Sequence, residues 1–494
     1  MKSIKLLIVS MIIAVSAISC ADYLDVNTDP NNPLTVSNDL VLPVAQRYSS
    51  ELLASSRRTN SIGNLFMMNW SNASGYSWYD SEMTYNVSST FYNGIWDATY
   101  QNALKQYHVL DNDAANNEYY QAIGKIMKSY HFQILVDIYG DVPYFDALQR
   151  GENTTPAFDD AQTIYEDLIV QLDNAIALIK AGNVNADVVA VGSDDKMFAG
   201  NMTTWIKLAN TIKLRILARQ SSLAGRAGYI GTEITKIMAE GTGFLTEDAT
   251  NNLGYVNEEN KQNPFWDSYG IPSDATGTSE DDYVNNYKAT CATPYVLNKL
   301  TTLNDPRIDF IYEKPAGGHR GVVQGITPIP SDATVENVSN MGPGLLKSFD
   351  QDAMIFTLAE AKFLQAELAL MFPTLGNPET FYQEGIAASF NYLGATGSVA
   401  YFSQPLDLAS YSFSSNKLEA IITQKWIALN GIDAIQSWFD YNRLGYPSDM
   451  PISLSASGPN IPVRLAYSSS EISSNAANVP TQPDVFSAKI FWAN

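Results

Sequence analysis

Asn69, Trp70, Asn72, Tyr76, Trp78, Tyr79 and Asp80 fall within twelve consecutive residues, and together they hold both kinds of group that sugar recognition needs. A ring of Trp or Tyr packs on the C–H face of a pyranose, and amide or carboxylate groups bond its hydroxyls and offset their desolvation. Gly75 and the surrounding Ser and Asn mark the stretch as a loop, and large rings on an exposed loop point to a binding surface. A later segment, NPFWDSYG at 263–270, offers Trp266 and Tyr269 beside Asn263 as an opposite wall. The expected platform is Trp78, Tyr79 and Trp266. Phe91, Ile95 and Tyr100, at helical spacing, read instead as core.

Catalysis asks for more than the chain displays. A glycosidase needs two carboxylates about 5–10 Å apart across the bond it cleaves. Glu280, Asp281 and Asp282 are clustered and Asp80 stands near Glu82, but acidic loops are ordinary in a chain with 52 Asp and Glu against 30 Lys and Arg. The 3 histidines, His108, His131 and His319, are far apart, so no zinc spacing such as HExxH occurs. GxSxG, Walker and dinucleotide signatures are absent from the sequence. The reading is a binding protein and not an enzyme, with no cofactor and no metal. Asp25, Asn27, Asp29 and Asn31 alternate like the start of a calcium loop. Pro30 takes its glycine position, however, and Val36 its glutamate position, so Asx-turns explain them better. A net charge of −22 argues against nucleic acid and anionic membrane surfaces as partners.

Residues 1–19 read as a lipoprotein signal peptide. Lys2 and Lys5 precede an apolar run from Leu6 to Ala17, short of the roughly 20 residues that span a bilayer. Ala17-Ile18-Ser19-Cys20 resembles a lipoprotein processing site, with Ile18 bulkier than usual, and makes Cys20 the expected lipidated residue. Several acyl chains anchor a protein stably where one does not. Cys291, the other of 2 cysteines, is expected to be unpaired and buried.

The elements that must position these groups are helical. From Asn117 to Tyr139, Tyr120, Ile123, Met127, Tyr130, Ile134 and Ile138 recur at three and four residues, and His131, Leu135 and Gly124 add a second covered face. Gly140 and Pro143 end that helix. Similar periods give helices from Ser37 to about Ser56 (Leu40, Val44, Tyr48 and Leu52 inward), and through Phe66 to Trp70. They recur from Thr163 to Ile179, from Met202 to Arg219, from Asp352 to Leu370, around Glu379 to Leu393, and as a pair across Gly431. Arg215 and Arg219, one turn apart, are expected to pair with acids of a packed neighbour. Periodicity is lost at about 251–348, where LGYV and IDFIY read as short β-like pieces in a loop-rich insertion.

Seven segments in order then carry a resemblance: Cys20 with DYLDVNTDPNNP, YGDVPYFDAL at 139–148, WIKLANTIKLRILAR at 205–219, NDPRIDF at 304–310, AEAKFLQAELAL at 359–370, QKWIALNGIDAIQSWFDYNRLGYP at 424–447 and IPVRLAYSSSE at 461–471. Over nearly the whole mature chain, 20–494, they resemble the SusD/RagB family of outer-membrane nutrient-binding lipoproteins, in particular its SusD-like second branch. The resemblance implies a mainly α fold, a tetratricopeptide-like helix-pair superhelix with an irregular, loop-rich ligand-binding portion. It also implies a cell-surface position on the outer membrane and a SusC-like TonB-dependent transporter as partner. The implied ligand is a nutrient, usually an oligosaccharide. A peptide ligand, or a scaffold without a ligand of its own, is the alternative. The family's binding loops diverge, so the resemblance transfers no binding residue.

Overall fold

The apolar periods of this chain become packed helix pairs. The computed structural model describes residues 36–493 apart from 113–115, 150 and 280–281. The leader, Cys20, the alternating 25–31 segment, Glu280 and Asp281 lie outside the described residues.

Helix α1 (Asn38–Ala54) and α2 (Thr59–Phe66) come first. In α1, Leu40 and Val44 are 60% and 40% exposed, against expectation, whereas Val41, Leu42, Ala45 and Leu52 are buried. Adjacent rows on a helix lie about 100° apart, and a polar contact selects between them. Ser49 Oγ lies 2.9 Å from Tyr107 Oη and 2.8 Å from His131 Nε2, which turns the Ala45 side inward.

A π-helical stretch (Thr99–Leu104) runs into α3 (Lys105–Asp111), and α4 (Glu118–Tyr139) follows. All six periodic residues of α4 are buried, with His131 and Leu135. Gly124 permits close contact with α3, since a Cβ there would stand 2.8 Å from Tyr107 O. Gly140, at φ 76°, ends the helix. Helix α5 (Ala161–Gly182) starts where Asp160 Oδ1 accepts from Thr163 N and packs along α4. Helix α6 (Met202–Arg219), capped by Asn201, packs on α5.

In the segment 251–348, α7 (Pro264–Tyr269) and α8 (Asn285–Ala289) are each about one turn long. The IDFIY segment is not extended, because Ile308–Ile311 forms a helical turn, and LGYV at 253–256 forms no strand. The helix pairs resume with α9 (Leu358–Ala369) against α10 (Pro378–Leu393), then α11 (Lys417–Leu429) against α12 (Ala434–Leu444). Helix α12 closes back on α2, where a Cβ at Gly63 would meet Ile435 N at 2.2 Å. The result is a mainly helical, tetratricopeptide-like array.

Arg215 forks onto Glu360 of α9 at 3.0 and 2.6 Å, and Arg219 reaches Asp440 of α12 at 2.6 Å. Both pairs are fully buried, so loss of one partner strands a charge and costs about 3–5 kcal/mol.

Strands β1 (Trp70–Asn72), β2 (Ala249–Asn251), β3 (Thr290–Ala292) and β4 (Ala353–Phe356) form two antiparallel pairs, β1 with β3 and β2 with β4. Trp70 is therefore in a strand, not on the helix ending at Phe66, and Phe356 precedes α9 in β4. Cys291 of β3 is an unpaired, buried thiol. It packs with Ala73, Val322, Ala333 and Val338 in a small satellite core, and burial pushes its pKa up to about 12.

Candidate functional site

The β1–β3 pair places two distant aromatic segments side by side. Trp70 lies opposite Ala292 and Asn72 opposite Thr290, so the loop leaving β1 runs next to α8, which enters β3. Gly75 turns the loop at φ 89° with open space around it. Asn72 Nδ2 donates to Tyr76 O at 2.6 Å and holds the turn. Tyr76 and Trp78 then meet edge to face, centroids 5.8 Å apart at 86°. Trp78 is 37% exposed.

Asn286 of α8 joins the pieces. Its Oδ1 accepts from Trp78 Nε1 at 2.9 Å, and its Nδ2 donates to Ser268 O of α7 at 3.1 Å. Tyr79, at φ 62°, turns its ring down onto the core. Its hydroxyl donates to Thr290 Oγ1 at 2.6 Å, which in turn donates to Asn286 O at 2.5 Å. Burial of that hydroxyl raises its pKa well above the usual phenol range, so it stays protonated. Tyr283 stacks on Tyr287 at 4.1 Å beside Asn286. Asp80 is exposed at the start of a short helix (Asp80–Met83). The rim of this surface thus offers a fixed indole, a second ring, and amide and carboxylate groups.

The other residues singled out in the sequence are placed differently. Asn69, Trp70, Asn72, Asn263 and Tyr269 are buried, and each has a framework contact. Asn69 Nδ2 donates to Asn64 Oδ1 at 3.0 Å, and Trp70 meets Tyr269 edge-on at 5.5 Å. Asn263 caps α7, accepting from Phe265 N at 2.8 Å, and donates to Gln351 O at 2.8 Å. Trp266 is half-buried: its Nε1 donates to Ile271 O at 3.0 Å, and its ring lies over Gly270, where a Cβ would come within 2.5 Å. One face of that ring is covered by backbone. Asn286 and Tyr283 were missed, although YVNNY at 283–287 sets two tyrosines one helical turn apart around an Asn pair.

Comparison with known proteins adds to this geometry. Residues 30–468 match the second SusD-like family model, described as "Starch-binding associating with outer membrane". The fold is shared with a chitin-binding SusD homolog from Flavobacterium johnsoniae (20% identity, TM-score 0.73, 92% of this chain and 98% of that one). It is shared too with a SusD homolog from Bacteroides uniformis (23%, 0.74, 92% and 99%) and a SusD-like protein from Bacteroides thetaiotaomicron (21%, 0.73, 92% and 99%). No curated protein matches the chain.

Proposed function

The chain belongs to the SusD/RagB family, and on that premise we propose that it is a non-enzymatic, lipid-anchored protein of the cell surface. It captures an oligosaccharide on its aromatic loop and delivers it to a SusC-like TonB-dependent transporter in the outer membrane. One observation carries the capture step: Trp78 keeps an exposed ring while its N–H is tied to Asn286. A ring held this way loses little entropy when a sugar stacks on it. Tyr76 extends the apolar face, and Asp80 stands ready for hydroxyls. That a fold relative is described as chitin-binding supports glycan over peptide.

Glycan-array screening followed by calorimetry tests the proposal. Trp78→Ala is expected to weaken the best glycan by about 2 kcal/mol, roughly thirtyfold. Trp266→Ala, with one ring face already covered, has the smaller effect. Wild-type affinity in both Trp78→Ala and Tyr76→Ala removes the platform.

A further inference from the structure

A cleft of about 370 Å³ opens between α1, the start of α2 and the 253–267 segment, within the size range of small-molecule sites. Helix α7 borders it through Pro264 and Asp267, whereas Tyr76, Trp78 and Asn286 do not line it. Its charge is unusual for this chain. Acids outnumber bases so heavily that most described arginines, Arg215, Arg219, Arg307 and Arg443 among them, bind a carboxylate. Arg58, which lines the cleft, has no carboxylate within 4.0 Å among the described residues. Its Nη1 donates to Arg57 O at 3.2 Å.

The side chain is nevertheless placed. A Cβ on Gly94 would come 2.8 Å from Arg58 Nη1, so the glycine leaves the space that the guanidinium fills. The other charges lining the cleft are largely engaged. Arg47 binds Glu51 at 2.7 Å, and Lys261 binds Glu258 at 2.5 Å. Asp267 is the acid there without an ion-pair partner among the described residues, and Tyr48, Tyr255, Asn102 and Asn260 complete the walls.

We propose that this cleft is a second ligand subsite, which takes the carboxylate of a uronate residue in an acidic oligosaccharide. The guanidinium fork of Arg58 meets both oxygens of that carboxylate, the tyrosine rings border the sugar, and Asp267 and the two asparagines serve its hydroxyls. The inference rests on the reading of the chain as a glycan-capture protein and names the class of glycan.

The test is calorimetry of the full mature chain with tetragalacturonate and with neutral cellotetraose. The uronate is expected to bind more tightly, with an affinity that falls as salt rises. Arg58→Gln should reduce the preference for the uronate about tenfold or more. Gly94→Ala, which pushes the guanidinium aside, should reduce it in the same direction, and it serves should Arg58→Gln fail to fold. Equal binding of the two sugars overturns the proposal, as does a preference unchanged in both variants. An acidic tripeptide that binds through Arg58 while the uronate does not overturns the sugar assignment. Trp78→Ala separates the two sites. Binding lost there but kept in Arg58→Gln leaves the aromatic surface standing without the cleft, and the reverse leaves the cleft without the surface.

Discussion

Trp70 and Trp78 stand eight residues apart and have opposite surroundings, and their substitutions should separate accordingly. Trp70 is fully buried against Tyr269, so Trp70→Ala is expected to cost about 3–5 kcal/mol of stability. Trp78 is anchored mainly by one hydrogen bond, and Trp78→Ala should change stability by less than about 1 kcal/mol. Urea denaturation of the two variants checks this; equal losses would place Trp78 in the core. His131 bears on pH. It is fully buried, and burial lowers its pKa to about 3. Between that value and about 6.5 the unfolded chain binds a proton that the folded chain excludes. Its stabilising contribution is therefore full above about pH 6.5 and is lost as pH falls toward 3, by up to about 1.4 kcal/mol per unit. His131→Gln removes this slope, so the stability gap between wild type and variant should narrow from pH 7 to pH 5. A gap equal at both pH values would show that His131 does not control the slope.

At the scale of elements, close approach between helices decides what a small residue does. At Gly63, where α2 meets α12, an added methyl would collide with the backbone of Ile435, and a backbone cannot rotate away as a side chain can. Gly63→Ala is expected to destabilise by about 3 kcal/mol or more. Gly228, in the helix Ala227–Glu240, has nothing near its added Cβ. Gly228→Ala should stabilise by about 0.5–1 kcal/mol through helix propensity. Thermal melts of the two variants should therefore shift in opposite directions. A shift of the same sign in both would refute the α2–α12 approach. The β1–β3 pair works at the same scale, since the register of Trp70 on Ala292 brings Asn286 under Trp78.

Across the whole molecule, no described helix is long and apolar enough to cross a membrane; the attachment we propose is a lipid on Cys20. Cys20→Ala is expected to move the protein from the outer-membrane fraction, and unchanged fractionation would refute the tether. The buried ion pairs of Arg215, Arg219 and Arg443 join α6, α9 and α12, elements far apart in sequence, into one frame.

Local rules in the sequence determined most of the scaffold. The period of α4, its end at Gly140, the helices at 163–179 and 202–219, the pairing of Arg215 and Arg219 with acids and the buried, unpaired thiol of Cys291 were all legible there. Each depends on neighbours within a few turns, or on a chemical need that any fold must meet. Only the tertiary structure decided which rings remain wet. The partners that bury Trp70, steady Trp78 and turn α1 onto its Ala45 face come from across the chain. Burial is a property of packing between segments, and residue type and spacing do not encode which segments will meet.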